Sequence, residues 1–120
     1  MSFNWQEFLS FAVDVRRKTG PGYSEEAADR TAVSRAYYAA FCYARNYASN
    51  QQGFTSTGTA RDHQLLPRCF QQHGKYMAAR RLERLRGWRN QCDYENAISN
   101  LNVIVTSALE YAQRVINECR

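Results

Sequence analysis

Apolar residues recur along this chain at intervals of three and four almost throughout, and no stretch alternates as a half-buried strand would. The pattern predicts a first helix over about 4–18. Its stripe is Trp5, Phe8, Leu9, Ala12 and Val15, broadened by Phe11 and Val13. Thr19-Gly20-Pro21-Gly22 ends it, because glycine allows a left-handed cap and proline cannot continue a helix. A second helix starts at Ser24, a good N-cap, with Glu25, Glu26 and Asp29 placed well in its first turns, and runs to about Ser49. Its AVSRAYYAAFCYARNYA stretch is apolar on more than one face, as in a helix central to a bundle or at an interface between chains. The polar segment NQQGFTSTGTA then reads as a loop.

A shorter helix over 62–72 carries Leu65, Leu66, Cys69 and Phe70, with Pro67 requiring a late start or a kink. A fourth over about 76–91 places Ala78, Leu82, Leu85, Trp88 and Cys92 on one stripe. The last, over about 96–118, does the same with Leu101, Ile104, Val105, Ala108, Ala112, Val115 and Ile116. Short connections between long amphipathic helices favour antiparallel neighbours. The fold expected is all-α: an up-and-down four-helix bundle with a short extra helix.

At 120 residues the chain is expected to form one domain, 1–120, large enough to bury a core without a metal or disulfide staple. No apolar run has the length of a membrane span, and no membrane partner is expected. The N-terminus lacks a basic region and carries Glu7, unlike a signal peptide, so the expected location is cytoplasmic. Without a C-x-x-C pair, Cys42, Cys92 and Cys119 read as small buried hydrophobes. Cys69 and His73 stand four apart, but two ligands do not make a zinc site. No metal and no cofactor is expected.

The net charge of +5 becomes informative through its placement. Of the 16 basic residues only Lys18 and Lys75 are lysine, and arginine's planar fork matches phosphate oxygens in pairs. Between Arg61 and Arg89 lie Arg68, Lys75, Arg80, Arg81, Arg84 and Arg86, opposed in that span only by Asp62 and Glu83. One-signed clustering suits a phosphate-binding surface; it also suits a helix face paired with acids elsewhere, such as Asp93, Glu95 and Glu110. Within LRGWRNQCDYE, helical spacing puts Arg86, Arg89, Asn90 and Asp93 on one face, beside Tyr94, with Leu82, Leu85, Trp88 and Cys92 on the adjoining apolar face. Asp93 either pairs with Arg89 one turn away or orients arginines that grip a phosphate. No Gly-rich phosphate loop and no H-E-x-x-H occurs.

Three stretches together resemble HEPN domains. SRAYYAAFCYARNYA resembles the R-x-A-Y-Y-A-x-F-x-x-A pattern of the second HEPN helix, with Arg35, Ala36, Tyr37, Tyr38, Ala39, Phe41 and Ala44 in the pattern positions. His63, Leu66 and Phe70 resemble the H-x-x-L-x-x-x-F opening of the middle helix in one branch. Arg89 to Tyr94, RNQCDY, resembles that branch's R-x-x-A-D-Y, with Cys92 in place of Ala. The matches fall in family order and cover nearly the whole chain. The resemblance implies a four-helix up-and-down bundle, usually a homodimer. Many such proteins are metal-independent ribonucleases of prokaryotic toxin–antitoxin, phage-defence or CRISPR systems. Their R-x(4–6)-H motif holds the scissile phosphate and moves protons as the ribose 2′-OH attacks.

This chain departs from that motif: no histidine follows His73, and none stands after four to six intervening residues from Arg86 or Arg89. What carries over is Arg89, Asp93 and Tyr94, with His63 from the middle helix; these are the candidate catalytic residues. Candidate contacts to RNA or nucleotide phosphate are Arg86, Asn90, Arg84, Arg35 and Tyr38. The expected function is that of a HEPN-type protein of a toxin–antitoxin or defence system, binding RNA or nucleotide, with metal-independent RNA cleavage if a group replaces the missing histidine. The alternative is a non-catalytic dimeric module serving an antitoxin, a nucleotidyltransferase or a larger defence complex.

Overall fold

A computed structural model describes residues 2–120. Among them there is no strand, and five helices follow in order: α1 (Gln6–Val15), α2 (Glu25–Gln51), α3 (Asp62–Gln72), α4 (Tyr76–Tyr94) and α5 (Leu101–Glu118). α2 is the axis of the arrangement. Its 27 residues span about 40 Å at the helical rise, and it packs against all four of the others. Ala28, Ala32, Ala36, Ala39, Ala40, Ala44 and Ala48 are buried along it. Their small side chains let neighbours approach from several directions, which explains a helix apolar on more than one face. α1 lies against α2 and α5, and α3 against α2 and α4. The core between them is filled by Val33, Phe41, Leu66, Phe70, Leu82, Leu85, Val105, Leu109, Val115 and Ile116.

The helix ends show where tertiary contacts overrode the local pattern. Ser24 caps α2 as predicted, its side chain accepting from the Ala27 N–H at 3.2 Å. α1 stops at Val15, short of the predicted Lys18. Arg17 turns left-handed (φ 62°) and donates its N–H to the Asp29 carboxylate of α2 at 2.7 Å. The chain then reverses at Gly20-Pro21-Gly22-Tyr23, where Gly20 and Tyr23 exchange backbone hydrogen bonds and Gly22 takes φ 85°.

α4 runs on to Tyr94, past the predicted Gln91, and α5 begins at Leu101, well after the predicted Asn96. Arg30 of α2 accounts for both. Its guanidinium donates to the carbonyls of Cys92, Glu95 and Asn96, satisfying acceptors at the C-terminus of α4 and pinning the linker as non-helical chain.

α3 begins at Asp62, as predicted, and runs through Pro67, whose absent N–H falls opposite the His63 carbonyl. The preceding loop is wound around the Asp62 carboxylate. It accepts from the Ser56 and Thr57 hydroxyls and from the backbone N–H groups of Thr57 and Gly58. Burial would raise this carboxyl, but those bonds outweigh it and hold it at about 2.

All four cysteines are buried and unpaired by disulfides. His73 donates Nδ1–H to the Cys69 carbonyl at 2.8 Å, and among the described residues no three His, Cys, Asp or Glu side chains converge to hold a metal. No helix there is long and apolar enough to cross a membrane.

Candidate phosphate-binding cleft

The buried stripe of α4 is Ala78, Leu82, Leu85, Arg89 and Cys92. Arginine thus stands at a core position. Its guanidinium lies on the tyrosine faces of α2, 5.4 Å from the ring centroids of both Tyr37 and Tyr38, and the residue is 9% exposed. The Asp93 carboxylate is 3.6 Å away, beyond hydrogen-bond range, and faces solvent. Arg86, one turn earlier, flanks it half-buried. The Nε atoms of Arg86 and Arg89 are both buried without a hydrogen-bond partner. Buried charges are costly unless paired and hydrogen-bonded. Here Arg89 has one loosely placed, exposed carboxylate, Arg86 has no ion-pair partner among the described residues, and the cation–π contacts of Arg89 supply only part of the compensation. Such an arrangement favours an anion.

His63 enters the same cleft from α3. Its ring stacks on Phe41 at 4.4 Å and on Tyr37 at 5.6 Å, and Nδ1 hydrogen-bonds the Tyr37 hydroxyl. In the tautomer whose Nδ1–H donates to the Tyr37 oxygen, Nε2 is the nitrogen left able to accept a proton from a ligand. Burial, then the charges of Arg86 and Arg89, push the imidazole below its ordinary value, against a smaller opposing effect of Asp62. It is therefore neutral at pH 7. Burial likewise pushes the Tyr37 hydroxyl well above the usual tyrosine range, so it stays protonated. His63, Pro67, Arg68, Glu83 and Arg86 line an open groove of about 390 Å³ between α3 and α4.

The structure thus gathers His63, Arg86, Arg89, Asp93 and Tyr38 from three helices. Arg35 joins through Tyr38, its guanidinium 5.2 Å from that ring and 4.9 Å from Phe8. Three candidates stand apart. Asn90 is exposed beyond the cleft, and Tyr94 is 76% exposed at the end of α4. Arg84 lies across the helix from Arg86, because two residues turn about 200° around an α-helix; it covers Trp88 at 5.2 Å.

Sequence reasoning placed Arg89 on a polar face beside the apolar stripe, whereas it belongs to the stripe. The spacing 78, 82, 85, 89, 92 carried that signal. Tyr37 and Phe41 also build the site, and nothing short of the fold shows that α3 delivers His63 onto them.

No family, curated protein or solved structure gives a significant match to this chain.

Proposed function

We propose that this chain is a HEPN-like protein that binds RNA through the cleft of Arg86, Arg89 and His63. The single observation that carries the reading is the pair of guanidiniums with buried, unpartnered Nε atoms beside a neutral imidazole. A phosphodiester supplies acceptors to the Nη groups of these guanidiniums, which make no hydrogen bond within the described residues: its non-bridging oxygens take paired N–H bonds from arginine. The order of the helices, the Arg35–Ala44 pattern on α2 and the RNQCDY stretch ending α4 support a HEPN-like up-and-down bundle acting as a homodimer.

The same cleft holds the groups that metal-free RNA cleavage needs. In this reading His63 takes the place of the absent motif histidine. Nε2 accepts the ribose 2′-OH proton as the 2′-oxygen attacks phosphorus, and the resulting imidazolium returns a proton to the departing 5′-oxygen. The products are a 2′,3′-cyclic phosphate and a 5′-hydroxyl. Arg86 and Arg89 stabilise the charge on the pentavalent phosphorus.

The test is incubation of the protein with labelled single-stranded and structured RNA in EDTA, beside Arg89→Met and His63→Gln. RNA binding that falls at least tenfold in Arg89→Met supports the reading. Cyclic-phosphate products that vanish in His63→Gln add catalysis to it. Binding without products assigns a binding module. Wild-type protein that binds no RNA at low salt, or Arg89→Met that binds as wild type does, overturns it.

A further inference from the structure

α4 carries arginines on two sides, and only one side faces the cleft. On the other, against α5, Met77, Arg80, Arg81, Arg84, Tyr111 and Arg114 line a second groove of about 420 Å³. The acids nearby are already engaged: Glu118 bridges Arg81, and Glu110 bridges Arg114 at 2.5 Å. Among the described residues neither Arg80 nor Arg84 has an ion-pair partner, and both are exposed. Aromatic surface runs between these charges. Trp88 and Tyr111 pack at 5.2 Å, with the Arg84 guanidinium over Trp88 and that of Arg81 over Tyr111. Cations interleaved with aromatic faces suit a single-stranded nucleic acid, whose phosphates need the charges and whose unstacked bases need the rings.

We propose that Arg80 and Arg84 form a second phosphate subsite, so that the ligand of this protein is a single-stranded oligonucleotide passing over α4 from one groove to the other. This rests on the RNA-binding reading of the first cleft and specifies its substrate class. The two arginine sets are separated by the body of one helix, about 10 Å across, which a mononucleotide does not bridge and an oligonucleotide does. Arg84 therefore serves the polymer's extension, whereas Arg86 and Arg89 hold the central phosphate.

The experiment compares binding of fluorescent 2′-O-methyl oligoribonucleotides, which lack the attacking hydroxyl, at lengths of two and twelve nucleotides. Anisotropy titrations over a salt series are run for wild type, Arg89→Met and the double variant Arg80→Gln/Arg84→Gln. The double variant is expected to bind the twelve-mer about tenfold more weakly and to lose about 1.4 from the salt slope, as two fewer phosphates on a single strand require. Its affinity for the dimer stays unchanged. Equal loss on both lengths, or no loss on either, overturns the inference. If Arg89→Met weakens both lengths while the double variant weakens neither, the second subsite alone is wrong. If wild type binds neither length, both readings fall.

Discussion

Replacing Arg89 by methionine separates what the fold needs from what the ligand needs. The guanidinium occupies a core position, so an apolar side chain of similar length fills the same space. Exchanging a buried charged group for a packed hydrophobe is neutral or stabilising by about 1–4 kcal/mol. Against this stand the lost contacts with the Tyr37 and Tyr38 faces, about 0.5–2 kcal/mol, and a loose pairing with exposed Asp93, under about 1 kcal/mol. Asp93 stays solvated when left alone. These terms nearly cancel at mid-range, and at their extremes the balance runs from a loss to a gain of about 3 kcal/mol, which at about 4 °C per kcal/mol keeps Tm within about 12 °C of wild type. Thermal unfolding followed by circular dichroism reads this directly, with RNA affinity measured on the same samples. A Tm within that range, with affinity reduced at least tenfold, is the expected pair of results. A fall in Tm of more than about 12 °C refutes the reasoning, because Arg89 would then be a structural tie whose burial needs no ligand to explain it.

Three further outcomes follow from the geometry. Since the folded His63 titrates below 6.5, the unfolded chain binds the extra proton first; stability should fall as pH drops below 6.5. In His63→Phe, which keeps the stack on Phe41, denaturant midpoints should differ less between pH 7.5 and pH 5 than in wild type; an identical difference would dismiss this. Asp62 acts in a separate window: its contribution is present above about pH 4 and lost as pH approaches its folded value of about 2, and Asp62→Asn should cost about 2 kcal/mol at pH 7 in urea unfolding, an unchanged midpoint contradicting it. Arg30→Met frees the carbonyls of Cys92, Glu95 and Asn96 and should destabilise by about 2 kcal/mol, detected as a lower Tm; a Tm within error of wild type would show the linker holds without it.

Much of the fold was readable before the structure because helical period, Ser24 and the Gly/Pro turn are local signals. Bounds were misread where a distant side chain intervened. Asp29 captures the Arg17 N–H and cuts α1 short, and Arg30 holds the chain after α4 and delays α5. Neither pairing has a local signature. The cleft shows the same division. Arg86, Arg89 and Asp93 share one face of a single helix and could be grouped from spacing alone. His63 arrives from another helix, behind a loop wound on Asp62, and Tyr37 is recruited as its partner only by packing. Arg84 was named with Arg86 as a phosphate contact, and the half-turn between them puts it on the side of α4 that faces α5.

The walls of the cleft differ in how firmly they are held. α2 packs against every other helix, whereas α3 packs against α2 and α4 only. Native proteins open in units, and an element with few neighbours opens at a lower free energy than the helix at the centre. Amide hydrogens of α2 around Tyr37 should therefore exchange only through global unfolding, and those of α3 through a cheaper, partial opening. Such an opening withdraws His63 from the arginines while Arg86 and Arg89 keep their places on α4. In the proposed function, anion capture and proton exchange would thus reside in parts of the molecule with different lifetimes.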